Sequence, residues 1–284
     1  MTLEEQRRAY AHAIASAAGV TTAGLEEAFA SVAREAFLPP GPWTVVGERE
    51  APRQTPGADP QFVYDNVSVA IDAERQLFNG APAFVARMID LLTLRAGGRV
   101  LHIGAGLGYY SAIMAHVVGA AGSLVAIEVD EALAAQAEGN LATLPWVSVR
   151  HGDGTAAGGS FDAILVHAGV THPQQAWLDA LAPGGRLLLP LTVNMPGMGA
   201  TLGKGVMVII ERAVDGGGFR AEVSSFVAIY SAIGLRDEEI AARLGQAMRR
   251  TSFPNLTSLR RDPHDSTPDC WLHGDRFCLS MQPL

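Results

Sequence analysis

Residues 99–110 restrict the fold of this chain more than any other stretch. They read Arg99-Val100-Leu101-His102-Ile103-Gly104-Ala105-Gly106-Leu107-Gly108-Tyr109-Tyr110. Val100 to Ile103 is a short apolar run suited to a buried strand, and it breaks directly into three glycines spaced two apart. From Ser111 to Val118 apolar residues recur on a helical period, so the local order is strand, glycine turn, helix. Glycines suit such a turn because it is tight and because a ligand must touch backbone with no Cβ in the way. The helix that follows offers its first N–H groups and a positive dipole end to that ligand. The stretch therefore reads as a nucleotide-type cofactor site.

The next strand, 123–128, ends in Glu128, about twenty residues beyond the glycines. An acid at that place accepts hydrogen bonds from the ribose hydroxyls of an adenosine group. The spacing is GxGxG rather than the GxGxxG that suits a pyrophosphate. S-adenosylmethionine has no phosphate and asks only for close backbone approach, so the spacing favours it over a dinucleotide. A helix over 132–144 and a strand over 147–151 come next, then Gly152-Asp153-Gly154, where an acid suits the adenine amino group. A fourth strand reads over 161–166, and Pro183-Gly184 opens another that runs to Pro190. Alternating strands and helices predict an α/β fold with a doubly wound, mostly parallel sheet. An NAD-dependent oxidoreductase stays open as the alternative from another class.

The run from Val100 to Pro190 resembles class I S-adenosylmethionine-dependent methyltransferases, most closely the protein-L-isoaspartate O-methyltransferase family. Val32-Ala33-Arg34-Glu35-Ala36-Phe37-Leu38-Pro39 is similar to that family's N-terminal VPREKFVP stretch, and Gly152-Asp153-Gly154-Thr155 matches its GDGT. Phe226 to Tyr230 sits where the family has a late hydrophobic strand. The resemblance covers roughly Ala11 to Leu235, leaving the last fifty or so residues without a counterpart. It implies a Rossmann-like methyltransferase sheet with an antiparallel late strand. By this reading Gly104, Ala105, Gly106 and Gly108, with Tyr109, hold the methionine end, Glu128 the ribose, and Asp153 with Gly154 the adenine.

One segment departs from the family. Family members carry GxGQTISxP before a helix containing VAxM, and Pro82-Ala83-Phe84-Val85-Ala86-Arg87-Met88 keeps that helix start. Upstream, Gly80 stands where the family serine would orient the substrate carboxylate, and no hydroxyl comes from Leu77, Phe78 or Asn79. The expected acceptor is therefore a carboxylate on a peptide or small metabolite other than isoaspartate. Asn79 offers a donor and an acceptor, and Arg75 a bidentate clamp, with Tyr64 and Gly80 in the same candidate pocket. Asn79-Gly80 is also a good turn dipeptide, and Arg75 with Glu74 also reads as a solvated charged pair.

A carboxylate is already ionised at neutral pH and needs no base, whereas a hydroxyl or amine acceptor would. His167, just past the fourth strand, is the candidate base for that second reading, with His172 shortly after. A non-catalytic adaptor that binds the cofactor is the third reading, suggested by the missing serine. His102 lies inside the first strand and reads as buried.

The flanks complete the expectation. Helices read over 3–18 and 22–37, the second capped by Thr21 or Thr22 with Glu26 and Glu27 in its first turns. The proline- and glycine-rich 39–60 reads as irregular, and 191–205, with Met195 and Met198, as a mobile loop. Late strands read over 206–212 and 224–230, joined through Asp215-Gly216-Gly217-Gly218, and an amphipathic helix over 237–250. Three parts are expected: a helical cap at 1–60, a cofactor-binding domain at 61–235 and an extension at 236–284.

The extension holds both cysteines, Cys270 and Cys278, with His273 between them. The C-x₇-C spacing lacks the close pairs of a zinc site, so no metal is expected. Trp271 and Phe277 read as packing, on the domain or on a second subunit in a homodimer. A net charge of −8 with no lysine-rich run excludes nucleic acid as the expected partner. The polar first residues and the lack of a long apolar run point to a cytoplasmic protein without a membrane span.

Overall fold

Thr2 starts the first helix with a reciprocal cap. Its hydroxyl accepts from the Glu5 amide at 3.2 Å, while the Glu5 carboxylate accepts from the Thr2 amide at 2.7 Å. The helix, α1 (Leu3–Ala18), stops at Gly19 in the left-handed region. The computed structural model describes residues 1–48, 50–156, 158–194 and 201–283; Met195 and Met198 of the expected loop lie outside them. The chain divides into two units, residues 1–99 with 105–151, and residues 100–104 with 152–284.

In the first unit the helix expected over 22–37 is interrupted. It forms α2 (Leu25–Ser31), then extended backbone at Val32 and a 3₁₀ turn over Arg34–Phe37. Thr21 and Thr22 do not cap it; both give their amides to the Asp90 carboxylate, at 2.8 and 2.7 Å, and Gly24 takes the cap position. Burial is the largest single influence on the Asp90 carboxyl and pushes its pKa up, but the amide and hydroxyl bonds from Thr21 and Thr22 together outweigh it and hold the group below its usual range.

The stretch over 39–60 is not wholly irregular. β1 (Thr44–Val46) and β2 (Arg53–Gln54) join β3 (Ser68–Asp72) and β4 (Leu77–Phe78) in a four-stranded sheet, ordered β2-β1-β3-β4. Trp43 and Val45 explain this, because they enter one apolar cluster with Val63, Val67 and Val69. Burial of each such side chain is worth about 1.5–3 kcal/mol, enough to outweigh the proline and glycine content around it. α3 (Pro82–Leu91) follows, with Asn66 accepting its Ala83 amide at 2.9 Å.

β5 (Arg99–Ile103) belongs, past Arg99, to the second unit. The first unit resumes with α4 (Tyr109–Val118), β6 (Ser123–Glu128), α5 (Glu131–Leu141) and β7 (Val147–His151). β6 and β7 pair in parallel, with Glu128 opposite His151.

The second unit contains β8 (Phe161–Val166), α6 (Gln175–Ala180), β9 (Leu181–Asn194), β10 (Leu202–Arg212) and β11 (Phe219–Tyr230). It ends with α7 (Glu238–Arg250), β12 (Ser258–Arg260), β13 (Cys270–Gly274) and β14 (Phe277–Ser280). Its strands run in the order β13-β14-β12-β11-β10-β9-β8-β5. β5, β8 and β9 are parallel, as the buried apolar runs Val100–Ile103 and Ala163–Val166 suggest, and everything from β10 outward is antiparallel. The antiparallel part thus extends well past one late strand. The single final strand expected in the tail is a hairpin, β13 with β14, attached to the sheet through β12. Trp271 and Phe277 are buried within this unit: the indole donates to the Thr251 carbonyl at 2.9 Å, and the Phe277 ring stacks on His172.

Candidate functional site

In the first unit the turn after β5 closes as its glycines predict. Gly106 and Gly108 have φ of 56° and 90°, and Gly108 donates to the Ala105 carbonyl at 3.0 Å before capping α4. Ala105 donates to the Ile127 carbonyl at 3.1 Å, which ties the turn to the end of β6. Glu128 is the last residue of that strand and is buried, 7% exposed. One of its oxygens accepts the Gly106 amide at 2.7 Å and the other the Asp130 amide at 3.1 Å. A carboxylate has about four lone-pair positions, so two remain for a ligand's hydroxyls.

Not every residue of the motif is open to a ligand. A Cβ on Gly108 would lie 2.9 Å from Leu141 and 3.6 Å from Ala137, so this glycine lets α4 pack on α5. Tyr109 is 3% exposed and packs against Phe29, Phe37 and Tyr110, its hydroxyl 3.4 Å from that of Tyr10. Burial raises its pKa well above the usual phenol value. Tyr109 is thus engaged in interior packing on several sides.

The substrate candidates separate sharply. The Tyr64 hydroxyl donates to Glu35 and accepts from Arg7 at 2.9 Å and from the Arg34 amide at 3.2 Å, so it is fully engaged. Arg75 is bound by two carboxylates, its Nε 2.6 Å from Asp72 and its guanidinium also on Asp130. Both acids are held below the usual carboxylate range, chiefly through hydrogen bonds to their ionised forms. Arg75 is thus neutralised, contrary to its reading as a free clamp.

Asn79 is different. Its Oδ1 accepts the Val69 amide at 2.9 Å and a long 3.5 Å contact from Arg34. The bond from Val69 fixes which side-chain atom is oxygen. Its Nδ2 is then a buried donor with no hydrogen-bond partner among the described residues. Gly80, at φ 84°, completes the turn, and its carbonyl accepts from the Tyr110 hydroxyl at 2.9 Å. Asn79 is therefore both turn former and unpaired donor.

Arg34 is the residue whose role sequence reading misses. It is fully buried, and its guanidinium donates to the carbonyls of Val63 and Val67 at 2.6 Å and of Asp65 at 3.1 Å. It lies over the rings of Tyr10 and Tyr109. A cation set among the apolar residues of the Val32–Leu38 stretch, beside Glu35, is the available signal.

In the second unit, His102 is buried in β5 and stacks on His167, ring centroids 5.8 Å apart. Burial lowers the pKa of His102 well below the usual value, and that of His167 to about 4. Both imidazoles are neutral at pH 7, and a base that weak serves a hydroxyl acceptor poorly. Asp153 accepts the Thr155 amide and hydroxyl on Oδ1 at 2.9 and 2.7 Å, which keeps its carboxyl ionised below the usual range. Gly154 has φ 82°, and a Cβ there would lie 2.8 Å from Ile103; its carbonyl accepts from the Trp177 indole at 2.8 Å. Gly104, at φ 81°, would place a Cβ 3.4 Å from the His167 backbone.

Comparison with known proteins gives a consistent result. The family model described as Protein-L-isoaspartate(D-aspartate) O-methyltransferase (PCMT) matches residues 49–201, just over half the chain. A protein-L-isoaspartate O-methyltransferase of Methylorubrum populi is 40% identical over 190 residues, covering 66% of this chain and 78% of that protein. Protein-L-isoaspartate O-methyltransferase 1 of Nitrosospira multiformis is 33% identical over 192 residues, covering 65% and 76%. Against its Rhodopseudomonas palustris namesake the match is 38% over 157 residues, 53% of this chain and 62% of the relative's length.

A solved protein-L-isoaspartate O-methyltransferase superposes with a TM-score of 0.63 at 19% identity, over 96% of this chain and 87% of the other. A Plasmodium falciparum structure assigned to the same enzyme, in complex with S-adenosyl-L-homocysteine, gives 0.52 at 15% identity, over 81% and 97%. These two establish the α/β methyltransferase fold. No helix among the described residues is long and apolar enough to cross a membrane. By the family model and by relatives aligned over more than three quarters of their length, the chain belongs to the protein-L-isoaspartate(D-aspartate) O-methyltransferase family.

Proposed function

We propose that this chain transfers a methyl group from S-adenosylmethionine to a carboxylate oxygen on a peptide or small metabolite. The observation that carries the reading is Glu128, buried at the end of β6, aligned by two backbone amides and keeping lone pairs for ribose hydroxyls. Asp153 is the proposed partner of the adenine amino group, since Thr155 occupies its Oδ1 and no described residue bonds its Oδ2. Gly104, Ala105 and Gly106 are proposed for the methionine end, with Gly106 supplying the bare backbone.

When bound, S-adenosylmethionine supplies an electrophilic methyl group for in-line displacement. The chain's own task is alignment, which by itself can supply a large part of such a rate. Asn79 is proposed to donate from Nδ2 to the acceptor carboxylate, giving its unpaired buried N–H a partner. No base is needed, because the acceptor is ionised before it arrives. The neutral, weakly basic His167 supports this acceptor over a hydroxyl or amine.

The relatives are named for isoaspartate, and the proposed acceptor differs because residues 77–80 provide no hydroxyl to orient that substrate. The test is transfer of labelled methyl by the full chain to an isoaspartyl peptide, beside a mixture of other peptides and small acids. Base-labile label in the mixture alone is the expected result. Label on the isoaspartyl peptide would restore the relatives' acceptor, with Asn79 doing the serine's work. Base-stable label would sink the carboxylate reading, and tight cofactor binding with no label anywhere would favour an adaptor.

A further inference from the structure

The tail brings together four side chains that sequence spacing keeps apart. One donor atom each from His264, Cys270, His273 and Cys278 lies within 4.8 Å of all the others. Both cysteines are buried and unbridged. The hairpin makes the first contact, because His273 stands directly opposite Cys278 in the β13–β14 register.

Residues three apart on a regular strand point to opposite faces, so Cys270 and His273 should diverge. They do not, because the register shifts between Cys270 and Leu272, and this bulge turns Cys270 toward the His273 side. The loop that follows β12 supplies the fourth donor, His264. Arg260 of β12 stands opposite Cys278, and the chain leaving that strand returns past the hairpin.

Two further details point to an ion. The His273 Nδ1 is buried and has no hydrogen-bond partner among the described residues, an arrangement that native interiors rarely leave without a ligand. His264 has its Nδ1 2.8 Å from the Asp262 carbonyl, which can only accept, so Nδ1 holds a proton and, in the neutral ring, Nε2 carries the lone pair. That Nε2 faces the Cys270 sulfur at 3.6 Å. Metal-ligating histidines are oriented in this way, by an acceptor on the ring nitrogen that does not touch the metal. Cys270 Sγ also accepts from the Thr267 amide at 3.4 Å, a contact that favours thiolate.

We propose that His264, Cys270, His273 and Cys278 bind one zinc ion that staples the 261–269 loop to the β13–β14 hairpin. Two sulfurs and two imidazoles are the donor set of a tetrahedral, borderline-soft ion, and hard cations that want oxygen are excluded. Zinc–ligand bonds of about 2.0–2.3 Å put neighbouring donors roughly 3.3–3.8 Å apart, a small contraction from the cluster as it stands. With all four positions filled by protein the site is structural and leaves no place for substrate. The C-x₇-C spacing hides it, because the close pairs are Cys270 with His273 by way of a bulge, and His273 with Cys278 by strand register.

The test uses the full chain purified under reducing conditions without chelator. Elemental analysis should find about one zinc per chain. Replacement by cobalt should give the intense visible bands of a tetrahedral thiolate site together with sulfur-to-metal charge transfer. Cys278→Ser and His273→Ala should each lose the stoichiometric metal, while His12→Ala, an exposed histidine of the first unit, should keep it. Metal-free protein with both thiols reduced would overturn the proposal. So would a Cys270–Cys278 disulfide, an octahedral cobalt spectrum, or zinc retained in Cys278→Ser. The stoichiometry and the cobalt spectrum need no variant, so they test the site even where a tail variant fails to fold.

Discussion

The turn at 105–108 and the segment at 64–80 both read as ligand-facing in sequence, yet only one owes its shape to its own residues. The turn's bend follows from its own glycines, at φ 56° and 90°, and Glu128, 22 residues further on at the end of β6, fastens it through Gly106. In the segment, availability depends on partners supplied from elsewhere. Glu35 and Arg7 occupy Tyr64, Asp130 occupies Arg75, and, of these three candidates, Asn79 keeps a buried donor with no hydrogen-bond partner among the described residues. Local motifs therefore reveal conformation, while the accessibility of a side chain is decided at long range.

The largest expected effect tests the turn. Glu128→Ala removes an ionised acceptor of two ribose hydroxyls and unfastens Gly106. With each such bond worth about 1.5–3 kcal/mol, cofactor affinity should fall by about 100-fold or more. Isothermal titration with S-adenosylmethionine reads this directly, alongside a melting curve to show that the chain is folded. Unchanged affinity would mean that the turn binds nothing through β6, and the contrast between turn and segment would collapse.

Gly108 sharpens the same point. A Cβ there meets Leu141 at 2.9 Å on a backbone with φ 90°, so Gly108→Ala should cost about 2 kcal/mol of stability. Denaturant unfolding measures that cost, and cofactor affinity in the folded fraction should stay near that of the parent. A stable variant with weak affinity would instead place this glycine at the ligand.

Strands β6 and β8 are legible to the residue because each is a compact, largely apolar run bounded by turn residues, β7 because its valines alternate with polar residues before Gly152, and α1 because Thr2 and Glu5 cap it. The helical pattern over 22–37 overstates the helix, since nothing local announces that Thr21 and Thr22 turn aside to Asp90. The sheet at 44–54 is hidden, because the apolar partners of Trp43 and Val45 lie some twenty residues away. Within the candidate site, Glu128 is visible as an acid ending a strand. The burial of Tyr109 in an aromatic cluster is not, because Phe29 and Phe37 come from a distant part of the chain. The tail cluster escapes a reading by spacing for the same reason, as its pairs are made by strand register and a bulge.

Asn79→Asp isolates the free donor of the segment. Asp keeps an oxygen for the Val69 amide and replaces the Nδ2 donor with an acceptor that repels a carboxylate substrate. Turnover on the identified acceptor should drop about tenfold or more, as expected for a lost bond to a charged group, while cofactor affinity holds. Equal turnover would return Asn79 to a turn residue and nothing more.

The smallest effect belongs to Arg75, and it decides whether partners or position govern the segment. Its guanidinium is shared between Asp72 and Asp130, and its side chain is about half exposed. Exposed ion pairs contribute little to stability, because water screens the attraction and the long side chain loses entropy when held. A substrate carboxylate could recruit Arg75 only by displacing one of two carboxylates already fixed by backbone amides, Asp72 by that of Arg75 and Asp130 by that of Leu133. Arg75→Ala should therefore leave turnover within about twofold of the parent and shift the melting temperature little. A large rise in KM with cofactor affinity unchanged would show that the ion pair opens for substrate, making the bonded arrangement a resting state and the contrast with Asn79 one of degree.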